Sequence, residues 1–316
     1  MEDEMNVTYI TFTGHINVPR YRYVYFVVML MLYILIIFCN STIVCLIVIK
    51  KNLHKPMYVF IAALLINSVL YSTVIHPKLL IDFLSPRQLT TFHPCLFQAT
   101  VYYTFSISEF LLLSAMAYDR YVSICKPLQY QNIMRRSTVV IFLLSAWIVP
   151  ASELGIMFIL YLNIKVCHFS LRGIFCNTTI YTLQCVRSGV TSVYGVVILL
   201  NICLLPVLFI LFTYTRVLIV SNKSSRKVQT KATQTCLPHM LVLINLSVFI
   251  TLDVVVVRIG AHLPKLANLV LSLQMTVSHP LLNPFIYGLK MKEISKHLQR
   301  LLFQLRSHRE VNAKSM

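Results

Sequence analysis

Seven long apolar runs, separated by short polar connections, constrain the fold of this chain more than any other feature. Each run is long enough to cross the roughly 30 Å hydrocarbon core of a bilayer as a helix. The chain is 57% hydrophobic and only 12% charged, which is too apolar for a soluble domain. The sequence therefore predicts an all-α membrane protein, a bundle of seven transmembrane helices. We place the spans near residues 24–49, 57–83, 93–120, 138–162, 190–218, 236–260 and 266–287.

The spans divide the chain into a polar amino-terminal segment, 1–23, the bundle, 24–287, and a carboxyl-terminal segment, 288–316. Asparagines and prolines inside the spans need neighbouring helices to satisfy the freed backbone groups, so they indicate a packed bundle. After the last span, apolar and basic residues alternate at helical spacing over 288–305. This pattern predicts a short amphipathic helix on the inner leaflet. No cleavable signal peptide is visible, so we expect the first span to direct insertion.

The distribution of Lys and Arg predicts the orientation. One set of connections carries nineteen of these residues and the other carries nine. By the positive-inside rule the amino terminus lies outside the cell and the carboxyl terminus in the cytosol. The net charge of +18 is therefore explained by topology and by contacts with membrane lipids, and it does not indicate a nucleic-acid partner. We expect a multi-pass protein of the cell membrane.

This topology sorts the glycosylation sequons and the cysteines. Asn6 and Asn177 fall in connections that face the secretory lumen, so they are the predicted acceptors. Four of the nine cysteines face the same oxidising compartment. Four cysteines allow three pairings, which the residues alone leave open. The four are Cys95, Cys167, Cys176 and Cys185.

Enzymatic, transport and channel functions find little support in the motifs. The ten histidines show no HExxH spacing, and there is no GxSxG, P-loop or dinucleotide-binding glycine pattern. The sequence therefore predicts no enzyme activity and no cofactor. A secondary transporter is the more serious rival, but the inverted repeat and matched broken helices of that class are not visible. A selectivity-filter motif is missing as well.

The third span ends abruptly in charged residues. Its apolar sequence contains one acid, Glu109, and then stops at Asp119, Arg120 and Tyr121. An arginine at such a depth is costly unless it is paired, and Asp119 can neutralise it locally. Breaking that pair would free Arg120 for another partner, which is how a two-state switch can work. A charged helix end that simply meets water is the alternative interpretation.

The stretch MAYDRYVSICKPLQY, residues 116–130, resembles the third-helix signature of rhodopsin-like G-protein-coupled receptors in the form carried by vertebrate odorant receptors. Three further segments and four landmark residues are similar to those of odorant receptors, in the same order. The resemblance covers essentially the whole chain. These segments are KPMY at 55–58, KATQTCLPH at 231–239, PLLNPFIY at 280–287, and the landmark residues Asn40, Trp147, Pro206 and Tyr214.

Two departures from the family pattern stand out. Ser68 occupies the second-helix position where relatives carry an aspartate, while Glu109 matches a helix-three glutamate typical of odorant receptors. A sodium site would therefore rest on Glu109 with neutral partners. The family's FYGT stretch of helix six is replaced by NLSVFIT at 245–251. These departures indicate a divergent branch, such as a fish-type one.

The resemblance implies an odorant receptor that activates a heterotrimeric G protein through a stimulatory olfactory-type Gα subunit. It also implies the disulfides Cys95–Cys176 and Cys167–Cys185. A class A receptor for another small ligand, outside olfaction, is the alternative within the same fold. The resemblance assigns the activation switch to Asp119, Arg120, Tyr121, Tyr214, Asn283, Pro284 and Tyr287.

Pocket candidates follow from depth along the predicted helices. Arg258, near the outer end of helix six, could bind a carboxylate with two hydrogen bonds and would favour an anionic odorant. Its alternatives are pairing with Asp253 and reaching the lipid headgroups. Residues one to three turns below Cys95 share one face of helix three. The full candidate set is Tyr102, Tyr103, Ser106, Ile107, Ile198, Asn201, Ser247, Ile250, Thr251, Val254, Arg258, Leu273 and Thr276.

Overall fold

The computed structural model describes residues 9–15, 18–186, 188–223, 236–237, 239–248, 250, 252 and 264–314. Within these ranges the chain is a bundle of long helices. α2 begins at a proline in its first turn, where the missing N–H costs nothing. The helices are α1 (Val18–Ile49), α2 (Pro56–Leu84), α3 (Phe92–Cys125), α4 (Arg136–Leu162), α5 (Gly189–Asn222), α6 (His239–Val248), α7 (Lys265–Lys290) and α8 (Lys292–Lys314).

By length and apolarity alone, four of the described helices can cross a membrane: α1, α2, α4 and α5. The described part of α6 is a shorter apolar helix. α3 is less apolar because it lies at the centre of the bundle, in contact with α2, α4 and α5. It buries polar side chains there that a lipid-facing helix could not carry, among them Ser106, Ser108 and Glu109.

Prolines in α7 are accommodated by a side chain from another helix. Pro284 has no N–H, so the carbonyl oxygen of Pro280 loses its normal helical partner. Asn40 of α1 is fully buried, and its Nδ2 donates to that oxygen at 2.8 Å and to the carbonyl oxygen of Ile36 at 2.7 Å. The hydrogen bond to Pro280 therefore joins α1 to α7 at the point where α7 needs a donor.

A small sheet covers part of the outer end of the bundle. Strand β1 (Tyr9–Phe12) pairs antiparallel with β2 (Leu89–Thr91) and parallel with β3 (Ser170–Leu171). The sequence analysis treated this segment as a polar start, but Ile10 and Phe12 are buried. The amino-terminal segment is thus part of the folded outer surface.

Both disulfides implied by the family resemblance are present. Cys95 at the start of α3 is bonded to Cys176, with the Cα atoms 5.3 Å apart, and Cys167 is bonded to Cys185, with the Cα atoms 4.8 Å apart. The first bond holds the long connection between α4 and α5 against the top of α3. The second disulfide joins two residues within that same connection.

Buried side chains form two apolar clusters along the bundle. The outer cluster joins the sheet, the α4–α5 connection and the outer half of α3, including Tyr102 and Phe175. The inner cluster joins the other halves of the helices and includes Tyr214, Tyr287 and Ile294 of α8. The ligand candidates of α3 consequently lie in a different part of the core from the switch candidates Tyr214 and Tyr287.

Candidate ligand pocket and activation switch

The charged end of α3 forms a closed local network. Arg120 makes an ion pair with Asp119, which is completely buried. The hydroxyl of Tyr130, in the connection after α3, donates to the second oxygen of Asp119 at 2.7 Å. Burial and the negative charge of Asp119 raise the pKa of the Tyr130 phenol, so it remains a donor. Both oxygens of Asp119 are therefore engaged.

Three ring-bearing residues from three helices meet in the inner cluster. The Nδ1 atom of His239 on α6 lies 3.2 Å from the hydroxyl oxygen of Tyr287 on α7. The ring of Tyr214 on α5 is nearly parallel to the His239 ring, at 6.5 Å between centroids. The hydroxyl oxygen of Tyr214 is buried without a hydrogen-bond partner among the described residues, which is energetically costly in this state. The remaining switch candidates, Tyr121 and Pro284, are partly buried and buried, respectively.

His239 is a member of this site that the sequence analysis did not assign. It is buried, and its Nε2 atom has no hydrogen-bond partner within the described part of the chain. The signal was available, because His239 ends the KATQTCLPH segment that carries the family resemblance. A histidine in a span without paired metal spacing gave no reason to single it out.

Asn283 of α7 links three helices near the middle of the bundle. Its Nδ2 donates to the Ser68 hydroxyl at 3.0 Å and to the Glu109 carboxylate at 2.8 Å. All three side chains are buried. Within the described ranges, no group of three or more His, Cys, Asp or Glu residues could hold a metal ion. The predicted sodium ligand Glu109 therefore has the Asn283 amide and the Ser68 hydroxyl as its neighbours. The amide group facing Glu109 is an N–H donor, which is not a ligand for a cation.

The outer part of α3 contacts the α4–α5 connection directly. The ring of Tyr102 packs against Tyr71 at 5.0 Å and against Phe175 at 5.2 Å. The hydroxyl of Tyr103 accepts a hydrogen bond from the backbone N–H of Thr178 at 3.1 Å. With the Cys95–Cys176 disulfide, these contacts hold the connection over α3 as a lid.

Three other described pocket candidates lie in or against the outer cluster. Ile107 and Ile198 are buried in the outer cluster, and Leu273 packs against it. The hydroxyls of Ser106 and Thr276 donate within their own helices, to the carbonyl oxygens of Tyr102 and Leu273 respectively, both at 2.9 Å. Ser247 differs from them, because its hydroxyl oxygen is buried without a hydrogen-bond partner.

Two candidates do not join this group, and three lie outside the described residues. Asn201 is exposed, since it falls in a π-helical segment, Leu199–Leu204, whose wider turn changes the register assumed from an α-helix. Ile250 belongs to the inner cluster. Thr251, Val254 and Arg258 lie outside the described ranges.

Asn177 occupies an unfavourable place for a glycan. It is only 7% exposed, and its Oδ1 accepts hydrogen bonds from the N–H and hydroxyl of Thr179. Asn177 therefore remains a predicted acceptor whose side chain is largely buried in this fold. Asn6, the other predicted acceptor, lies outside the described residues.

Together, the helical bundle, the stapled outer connection and the Asp119–Arg120 network have the features of a seven-helix G-protein-coupled receptor. Comparison with known proteins agrees. The family model described as "Olfactory receptor" matches residues 29–305. The chain therefore belongs to the olfactory receptor family, whose members are odorant receptors and not enzymes.

Individual relatives match over nearly their full length. Human olfactory receptor 10J4 is 32% identical over 94% of this chain and 96% of its own length. Human olfactory receptor 10A7 is 32% identical over 96% of both chains. Mouse olfactory receptor 4B13 is 32% identical over 95% of this chain and 97% of its own length. The chain is accordingly an odorant receptor, a multi-pass membrane protein that couples ligand binding to a G protein.

Proposed function

We propose that this receptor binds an anionic odorant in the outer half of the bundle and activates a stimulatory olfactory-type Gα subunit. Its amino terminus lies outside the cell and its carboxyl terminus in the cytosol. The observation that carries the proposal is the closed Asp119–Arg120–Tyr130 network next to a Tyr214 hydroxyl that has no partner. These groups can exchange partners, as a two-state switch requires.

The activating step follows from this geometry. An odorant that binds better to one arrangement of the helices shifts the population toward it. In that arrangement Arg120 leaves Asp119, and Tyr214 and Tyr287 rearrange as helix six moves outward. The cleft that opens between the helices receives the carboxyl-terminal helix of Gα. The unsatisfied Tyr214 hydroxyl favours this exchange, because it gains a hydrogen bond only in the rearranged state.

The pocket in this proposal lies beneath the lid. Tyr102, Tyr103 and Ile107 form its α3 wall, and the Ser247 hydroxyl offers a donor that no described group uses. Arg258 supplies the positive charge for a ligand carboxylate. Arginine is suited to this role because its planar guanidinium forms paired hydrogen bonds with both carboxylate oxygens.

The test is a cyclic AMP assay in cells that co-express the receptor with the olfactory-type Gα. Pooled carboxylic acids, amino acids, amines and neutral volatiles are applied, and surface display is checked with an amino-terminal tag on unpermeabilised cells. We expect responses to carboxylic acids that Arg258→Gln weakens selectively. Arg87→Gln, which removes an exposed arginine at the outer end, is the matched control.

Responses to carboxylic acids that Arg258→Gln leaves unchanged would remove Arg258 and the anionic ligand from the proposal. A tag that is accessible only after permeabilisation would reverse the orientation. Full responses through an inhibitory Gα, with none through the olfactory type, would overturn the proposed coupling.

A further inference from the structure

An apolar groove of about 600 Å³ runs along α1 and is also lined by Leu301 of α8. We call it the α1–α8 groove. Its α1 lining includes Ile34, Phe38, Cys45 and Ile49, and α8 contributes Leu301. From Ile34 to Ile49 the lining extends about 22 Å at 1.5 Å per residue. That length exceeds the roughly 15 Å depth of one hydrocarbon leaflet, so an entire acyl chain can lie in the groove.

The end of the groove at α8 is held in place by packing. Met291, between α7 and α8, and Ile294 of α8 are buried in the inner cluster, and Leu298 of α8 packs against the same cluster. The side chains of Asn52, in the connection after α1, and His297 of α8 lie 3.1 Å apart. These contacts fix α8 across the end of α1, so the position of Leu301 in the groove is set by the fold.

The same end of the groove is basic. Lys50 and Lys51 follow Ile49 directly, and Arg300 precedes Leu301. All three are exposed. Among the described residues, α1 carries no acid and the first turn of α8 carries only Glu293. Three exposed cations are therefore adjacent in sequence to the lining residues Ile49 and Leu301.

We infer that the α1–α8 groove binds one anionic phospholipid of the cytosolic leaflet, with an acyl chain along α1 and its headgroup at Lys50, Lys51 and Arg300. Anionic headgroups gain from each nearby cation, and acyl chains gain from the apolar lining. The inference goes beyond ligand binding and G-protein coupling. It uses the orientation proposed above, which places this end in the cytosol.

Two other occupants fit less well. A second copy of the chain docked through this face about a two-fold axis would bring the Lys50, Lys51 and Arg300 clusters of both copies together, and like charges repel. A sterol has one uncharged hydroxyl and makes no use of the cations. Phosphatidylserine has an anionic headgroup for the cations and acyl chains for the apolar groove.

The test is native mass spectrometry of the full-length receptor, purified with phosphatidylserine, phosphatidylcholine and cholesterol at equal amounts. The test variant is Lys50→Gln/Lys51→Gln/Arg300→Gln. The matched control is Lys126→Gln/Arg135→Gln/Arg136→Gln, which removes three exposed cations from the connection between α3 and α4. A second pair of variants adds a bulky side chain. Cys45→Trp fills the groove, and Val140→Trp, on the exposed side of α4, is its control.

We expect the wild type to retain phosphatidylserine in preference to phosphatidylcholine. Each removed cation should lower that preference about fivefold, while the control triple keeps it. Cys45→Trp should lower retention and Val140→Trp should not. Equal loss in both triples, cholesterol as the retained lipid, or a dimer that Cys45→Trp dissociates without changing lipid retention would each overturn the inference.

Discussion

Single buried polar side chains hold the helices of this receptor together where the backbone lacks a partner. Asn40 is the clearest case, because it donates to the carbonyl oxygen that Pro284 leaves unpaired. Asn283 plays a comparable part by donating to both Ser68 and Glu109. At this scale, a change of one atom can leave a buried acceptor or donor unsatisfied.

Replacing Asn40 should weaken the joint between α1 and α7. Asn40→Ala removes the donor and leaves the Pro280 carbonyl buried without a partner, at a cost of about 1–3 kcal/mol. The measurement is the thermal unfolding midpoint of the purified receptor, together with its surface level. Thr42→Val is the control, because Thr42 donates to its own helix at an exposed position. Equal midpoints for wild type and Asn40→Ala would show that the hydrogen bond does not stabilise the bundle.

Signalling should be insensitive to sodium. The Asn283 amide nitrogen already donates hydrogen bonds to the Ser68 hydroxyl and the Glu109 carboxylate. A hard cation would need oxygen ligands instead of these N–H donors. Agonist response curves should therefore not change when sodium is replaced by choline. Ser68→Asp adds a second carboxylate and should create a sodium dependence that Glu109→Gln then removes. A sodium dependence in the wild type would restore the metal role of Glu109.

Attachment of the amino-terminal segment should depend on pH through His15. Its ring lies 5.7 Å from the ring of Phe83 and 6.3 Å from that of Phe12. Burial, and secondarily the charge of Lys78, lowers the pKa of His15 to about 4. Lys78 is itself paired with Asp82. The released segment has an ordinary histidine pKa near 6.5, so the stabilisation is complete above pH 6.5 and is lost as the pH falls toward 4.

Hydrogen exchange of residues 9–12, corrected for the intrinsic rate at each pH, measures this effect. Protection should fall between pH 7 and pH 5 in the wild type. His15→Phe keeps an aromatic ring and should abolish the dependence, whereas His93→Gln, at an exposed histidine, should retain it. A pH dependence that persists in His15→Phe would assign the titration to another group.

Among the elements, the three-stranded sheet is the one that connects distant parts of the outer surface. β1 joins the α2–α3 connection to the α4–α5 connection, and Gly14 continues the contact beyond the strand. A Cβ atom at Gly14 would lie 2.7 Å from the carbonyl carbon of Gly173 and 2.8 Å from the Arg172 oxygen. Only glycine permits this approach of two backbones.

Gly14→Ala should therefore loosen the sheet. Because the clash is with backbone atoms, relief requires the strands to separate, and we expect a cost of about 1–3 kcal/mol. Exchange protection of 9–12 and of 169–171 should fall together. Gly155→Ala, on α4 with open space around its Cβ position, should leave both segments unchanged. Loss of protection in 9–12 alone would mean that β1 does not hold the α4–α5 connection.

The elements also show what the sequence could and could not predict. The apolar runs indicated the helices because hydropathy is a local property, and the family motifs indicated both disulfides. β1 was missed because its four residues acquire their structure only by pairing with segments about 80 and 160 positions away in the chain. The π-helical turn around Asn201 was not predicted, because counting along an α-helix does not anticipate a change of register in α5.

At the scale of the whole molecule, the receptor has two functional ends with separate cores. The outer cluster includes the lid and half of the described pocket candidates, and the inner cluster includes Tyr214 and Tyr287, with His239 in contact with both. α3 passes through both clusters, so it can couple the occupancy of one to the arrangement of the other. We propose that release of Arg120 from Asp119 turns this coupling into a signal.

Cyclic AMP in cells without added odorant tests that claim most directly. Asp119→Asn removes the negative charge that holds Arg120, so basal cyclic AMP with the olfactory-type Gα should rise several-fold over wild type at equal surface display. The double variant Asp119→Asn/Arg120→Ala should return to the wild-type baseline, because the group that acts has been removed. An unchanged baseline in Asp119→Asn, or a rise that persists in the double variant, would contradict the account.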